Sequence, residues 1–305
     1  MLRVLIPLMD SCIPECVSRE FEQNWNNACD LKKNLTLDEL KRELKEFFNN
    51  TVYVYVVSTT YIKKRNNRWI IIQKGTGPNF EGCLLTLTNC KHSMRCNVRD
   101  DLEKGKKVWI AGFTSKNKKK NPFGKYFLFY LMKIGHYEVS FRDLWYYLAR
   151  YYPGALNVKD ACKNPLGDIY KPKSDCNNPY DPNCYLPPIR DQNIIHVHHR
   201  CTTYRGNSSC QNSCNKKILG CWRKDISYIC KNNNSQYPAL LIGDKNFSYL
   251  WSKPLIQVDF DCLLNVNKIK SGIGKGIIPS QKILRDWIAI KLIDLIDCCL
   301  TATKI

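Results

Sequence analysis

Apolar positions recur along this chain with two different periods. Leu37, Leu40, Leu44 and Phe47 are spaced three to four residues apart, which places them on one helix face. Thr36-Leu37-Asp38-Glu39 opens the run with a capping box. The Thr36 hydroxyl can accept from the Glu39 amide while the Glu39 carboxylate reaches back. The pattern predicts a helix over 37–48, ended by Asn49-Asn50. From residue 51 the period shortens. Residues 52–57 are β-branched and aromatic throughout and predict a strand, as do 106–113 and 126–134. The Lys, Asn, Pro and Gly of 116–124 form a turn between the last two. Ser140 caps a second helix, with the stripe Phe141, Leu144, Trp145 and Leu148, which ends near Tyr152-Pro153. Strands return at 239–242 and 255–258. A turn of alternating glycines, 272–276, precedes a helical region expected from Ser280. Residues 1–9 read as a first strand.

Residues 153–235 carry few periodic segments and read as a long loop or insertion. The expected organisation is an N-terminal helical appendage over 1–50, a main domain over 51–290 holding that insertion, and a helical tail over 291–305. Several short strands with interposed helices predict an α+β fold: a small, barrel-like mixed sheet with flanking helices and a long Cys-rich insertion. Regular strand–helix alternation is missing, which argues against a doubly wound parallel fold.

Composition narrows the partners. The 305 residues are 44% hydrophobic and 24% charged, which excludes collagen, coiled coil and wholesale disorder. Lys and Arg number 47 against 27 Asp and Glu, a net charge of +20. Such a surplus points to a polyanion, either nucleic acid or an acidic membrane face. No run approaches the roughly 18 apolar residues that span a bilayer, so no membrane partner and a cytoplasmic location are expected. The 17 cysteines complicate this picture. Cys201, Cys210, Cys214, Cys221 and Cys230 lie close together, as thiols, disulfides or zinc ligands. No CxxC pair supports zinc, and no metal is assigned.

Basic runs at 63–68, 104–107 and 116–120 fall beside strand ends, and interleaved aromatics can stack a base between phosphate contacts. In this reading Lys118, Lys119 and Lys120 meet phosphate. His196-Val197-His198-His199 holds three of the five histidines. A strand would turn His196 and His198 to one face, suited to metal binding or to proton transfer. Asp168 and Asp244 each follow a glycine, the position of a loop carboxylate near a substrate, or of a turn-capping aspartate.

Several ordered motifs resemble a known family, the second type of nucleotide modification associated domain. Gly77-Pro78-Asn79-Phe80-Glu81-Gly82, running into Leu85-Thr86-Leu87-Thr88-Asn89-Cys90-Lys91 and Arg95, resembles its Asn-Pro-Phe-x-Gly and Thr-Leu-Ala-x-Cys-Lys-Pro segments. Lys107-Val108-Trp109-Ile110-Ala111-Gly112 is similar to its Gly-Asp-Trp-Ile-Ile-Gly strand, with Lys106-Lys107 in place of Gly-Asp. Residues 129–134 and Phe141-Arg142-Asp143-Leu144-Trp145 follow its next strand and helix. Gly167-Asp168-Ile169-Tyr170, His198-His199 and Gly243-Asp244 with Phe247, Tyr249 and Trp251 keep the family order. His92 stands where proline is usual, and 172–235 is enlarged. The resemblance covers about 53–290 and implies a barrel related to base-binding, PUA-like modules.

Together these readings predict a nucleic-acid-binding protein acting on a modified base, in DNA ahead of RNA, by extruding it into an aromatic pocket. Asp168, His198, His199 and Asp244 would do acid–base work, and at least three of them should converge. Trp109, Trp251 and Tyr170 would hold the base; Lys91, Arg95 and Lys118–Lys120 would hold phosphates. The alternatives are a non-catalytic reader with the same pocket and a basic interaction protein without nucleic-acid chemistry. No cofactor is named, and the oligomeric state is left open.

Overall fold

A computed structural model describes residues 21–29, 31–189, 221–230, 236–263, 265 and 287–303. The expected strand at 1–9, the histidine run at 196–199, Cys201, Cys210 and Cys214, and the glycine turn at 272–276 lie outside the described residues.

The first elements are β1 (Lys32–Lys33) and α1 (Leu37–Leu44), which continues as a 3-10 turn through Phe47. The capping box at Thr36 and Glu39 forms as the sequence predicts, with the Thr36 amide donating to Glu39 Oε2 at 2.7 Å. Then come β2 (Thr51–Val57), a hairpin of β3 (Thr60–Arg65) and β4 (Arg68–Gln73), the short β5 (Thr86–Leu87) and α2 (His92–Glu103). Next follow β6 (Val108–Thr114), β7 (Tyr126–Glu138), α3 (Phe141–Tyr151), α4 (Pro153–Lys159) and α5 (Cys221–Ser227). The described chain closes with β8 (Leu240–Leu250), β9 (Ile256–Val258), β10 (Ile288–Lys291) and β11 (Leu300–Ala302).

The main sheet runs β1-β8-β7-β6-β2-β10, with β5 added on β8 and the β9–β11 pair added on β7. It is mixed: β2 and β6 are parallel, whereas β6–β7 and β7–β8 are antiparallel. The sheet curls into a half-barrel with helices on its flanks. Strand β6 is buried along its whole length, and residues 127–132 of β7 have no exposed surface. Burial on both faces explains why these strands read as continuous apolar runs rather than alternating ones. Gly112 is required in β6 because a Cβ there would lie 2.1 Å from the Tyr130 ring, which crosses over it.

Two regions differ from expectation. The C-terminal region expected to be helical contains β10, where Ile288 and Ile290 are buried while Lys291 is exposed. That period of two pairs it with the free edge of β2. A π-helical turn over Asp294–Cys299 then leads into β11. Within residues 1–50, read as an appendage, Ala28, Leu31, Leu40, Leu44 and Phe47 lie in the main core, and β1 pairs with β8. No described helix is long and apolar enough to cross a membrane.

Disulfides join Cys29 to Cys83 and Cys96 to Cys230. Cys230, grouped by sequence with Cys201–Cys221, is therefore bonded to α2. The thiols of Cys262 and Cys299 approach to 2.9 Å.

Candidate functional site

The chain between β5 and α2 reverses through Cys90 and Lys91, consecutive non-glycine residues with φ of 58° and 46°. Left-handed backbone is unfavourable for such residues and persists only where surrounding contacts hold it. Here the contacts are polar and buried. The Cys90 amide donates to Asp225 Oδ1 at 3.0 Å, 135 positions away in α5. His92 Nε2 approaches the same oxygen at 2.6 Å, and the His92 ring stacks on Tyr228. Tyr170 brings its hydroxyl to 3.2 Å from Asn89 Oδ1 and 3.3 Å from Asp225 Oδ2.

Burial alone pushes the Asp225 carboxyl up. The His92 hydrogen bond and charge, the Arg95 guanidinium and the Cys90 amide overcome that and hold it at about 2. Burial pushes His92 below its ordinary value, against the pull of Asp225. Burial favours the neutral imidazole, whose Nε2 can donate to the Asp225 carboxylate, and a ring charged at lower pH adds its attraction to that bond.

Arg95 lies behind this turn with no exposed surface. Its Nε donates to the Cys90 carbonyl at 2.9 Å and its Nη1 to the Ala239 carbonyl at 2.8 Å. Among the described residues Nη2 is buried without a hydrogen-bond partner. A guanidinium hydrogen left unpaired in a dry site is costly, and such groups are few in native folds. The Lys91 ammonium sits 5.0 Å from the Tyr55 ring centroid, and Tyr55 is bonded through its hydroxyl to Tyr130 at 2.8 Å.

A second buried network adjoins the first along residues 79–89. Thr86 and Thr88, two apart on β5 and its extension, share one face and both donate to Asp168 Oδ2, at 2.7 and 2.9 Å. The Lys159 ammonium donates at 2.9 Å to Thr86 Oγ1, to Asn79 Oδ1 and to the Asn79 carbonyl. Burial pushes Lys159 down to about 8, although Asp168 and Glu81 pull it upward. Gly167 lets this loop close, since a Cβ there would stand 2.6 Å from the Ala161 nitrogen.

Four residues assigned by sequence to three different roles therefore gather along residues 86–95: Lys91 and Arg95 belong to the turn and α2, while Asp168 and Tyr170 bond to Thr86, Thr88 and Asn89. The others are placed elsewhere. Trp109 has no exposed surface and packs against Phe47, Phe247 and Tyr249. Trp251 is equally buried and donates from Nε1 to the Leu35 carbonyl at 2.7 Å. Neither indole presents a ring face to a ligand. Asp244 sits in a bulge of β8, where Gly243 pairs with Ile134 and Ser248 with Met132, leaving 244–247 outside the ladder. Its Oδ1 accepts from the Asn246 amide at 2.9 Å, the behaviour of a turn-capping aspartate. Lys118 and Lys119 are exposed on the 116–124 loop, while Lys120 donates to the Ser58 carbonyl at 2.7 Å and lies over Tyr61. His198 and His199 lie outside the described residues.

Sequence reading missed Lys159, Asp225, His92 and Asn79. The alternation of Thr86 and Thr88 was a usable signal; Asp225 had none, because its partners lie more than fifty positions away. An open groove of about 600 Å³ runs between α2 and β7, lined by Arg99, Glu103 and His136 among others. No member of the polar cluster lines it, so the chemistry and the concavity are separate features. Among the described residues no three His, Cys, Asp or Glu side chains stand together in a way that would hold a metal ion. The chain matches no family model, no curated protein and no solved structure.

Proposed function

We propose that this protein binds nucleic acid, DNA ahead of RNA, and handles a modified base at the turn between β5 and α2. The observation that carries this reading is the buried Arg95 guanidinium, with Nη2 unpaired among the described residues, behind the left-handed Cys90–Lys91 turn. Cationic donors beside the start of a helix suit a phosphate or another anionic group. Asp168, Tyr170 and Asn89 lie buried behind the turn and are bonded within the protein, so they hold its shape rather than face a base. The net charge of +20 supplies the long-range attraction. Resemblance to the nucleotide modification family, with its PUA-like barrel, agrees with the half-barrel sheet.

An enzyme and a non-catalytic reader would use the same site and separate on turnover. Incubation with DNA bearing modified bases, followed by nucleoside mass spectrometry, reveals a changed base in the first case and none in the second. Binding itself is tested by titrating duplex DNA across a salt series. A steep fall of affinity with salt is expected; no binding at low salt would leave only the basic interaction protein. A cytoplasmic location fits the two disulfides among the described residues where the cytosol tolerates them, as in hyperthermophiles.

A further inference from the structure

Helix α3 buries Phe141, Leu144 and Leu148. The opposite face carries Arg142, Tyr146 and Arg150, four residues apart and hence in one row along the axis. Tyr146 on this face is 59% exposed, and Tyr151, the last helical residue and about 140° from it round the axis, is 55% exposed, the highest values for large apolar side chains among the described residues. Cations attend this aromatic surface. The Arg150 guanidinium lies 5.2 Å from the Tyr151 ring centroid, and the Lys245 ammonium 4.9 Å from that of Tyr152. Lys245 is carried there by the β8 bulge. Asp143, the acidic residue of α3, faces Arg142 at 3.5 Å, so its charge is locally offset. The N-terminal end of the helix adjoins the polar cluster: the Phe141 ring lies 4.5 Å from that of Tyr170.

We infer that the outer face of α3 and its C-terminal end form a track for single-stranded nucleic acid, with bases stacked on Tyr146 and, at the helix end, on Tyr151, and phosphates held by Arg142, Arg150 and Lys245. Exposed rings between cations match a single strand, whose bases offer their faces, better than a duplex, which hides them. The inference rests on the nucleic-acid reading above and adds the form of the substrate. A strand already unstacked on α3 would deliver a base to the Tyr170 end without the energy of opening a duplex.

The test is fluorescence anisotropy of the full chain with a labelled single-stranded DNA, the same sequence as RNA, and the matching duplex. Tyr146→Ala with Tyr151→Ala should weaken single-strand binding at least about tenfold, since stacking on one ring is worth that much. Duplex binding should hardly change. Tyr146→Phe with Tyr151→Phe, which keeps the rings, should bind as the native chain does. Both side chains are exposed, so folding is not at stake. The DNA and RNA arms identify which strand is preferred. Unchanged single-strand binding in the alanine variant would overturn the track, and so would an equal loss in the phenylalanine variant. In either case binding that still depends on Lys91 would leave the nucleic-acid reading standing. A native chain that binds neither strand nor duplex would overturn both.

Discussion

Two regions of this molecule are equally dry and differ in everything else. The centre of the sheet, around Trp109, Leu131 and Trp251, is filled with apolar and aromatic side chains of zero exposure. The cluster around Asp168, Lys159 and Arg95 is just as buried, yet it consists of charges and hydrogen-bonding groups. In the first region each contact adds a little, and removing atoms costs their transfer energy plus the cavity they leave. In the second, every member satisfies another, so deleting one leaves its partner charged or unpaired in a low dielectric. The difference shows where specificity resides. The sheet centre depends mainly on shape, with few side-chain hydrogen bonds such as that of Trp251 to Leu35, whereas the cluster requires particular residues at 79, 86, 88, 159 and 168.

The largest expected effect is therefore in the cluster. Asp168→Ala should lower stability by about 3–5 kcal/mol, because the Lys159 charge and two threonine hydroxyls lose their partner. Replacing Lys159 with Met and Asp168 with Leu together should be less harmful than the sum of the two single changes. Urea denaturation of the three variants measures the coupling; strict additivity would mean that the cluster behaves like the sheet centre.

Next is pH. Both His92 and Asp225 are held below their unfolded values, so the folded state resists their protonation. Stability should be fully present above the ordinary histidine range and fall as pH drops below it. A second fall should come between about 4 and 2, as Asp225 is forced to protonate, worth about 2 kcal/mol in all. Denaturation midpoints across that range test the sign, and His92→Gln should remove the upper step.

A smaller effect separates the regions by function. Lys91→Ala should lower the salt slope of DNA binding by about one, and Lys118→Ala, Lys119→Ala and Lys120→Ala together by up to about three. Trp251→Phe should leave that slope unchanged, because the indole faces only protein. A Trp251 variant that bound DNA more weakly at equal stability would return the tryptophan to the site. Asp244→Ala is expected to do least, about 0.5 kcal/mol or below in thermal unfolding, as it loses one turn hydrogen bond at the surface.

Elements whose buried residues are apolar were legible in the sequence. Helix α1, with its cap at Thr36, strands β2, β6 and β7, and the Ser140 cap of α3 follow from periodicity and local hydrogen bonding alone. Helix α2 was not foreseen, for a physical reason. Its inner face buries His92 and Arg95 beside Met94, Cys96 and Val98, so polar residues interrupt the apolar stripe that marks a helix. The cluster was half legible. Asp168 and Tyr170 stood out through their motif, but Asp225 joins only when α5 is brought onto α2. Trp109 and Trp251 illustrate the converse, since an aromatic residue in a strand suits a core and a stacking platform equally well until its exposure is known.

The bond between Cys96 and Cys230 spans 134 positions, from within α2 to the segment after α5. It closes a ring that contains β6, β7, α3 and α4. A single peptide-bond cut anywhere between those cysteines would open the ring without separating the chain into two molecules. On a gel without reductant the cut protein would keep its full mass, and only reduction would release the fragments. With both strands of the sheet centre inside the ring, a nicked chain would also keep the means to refold as one unit.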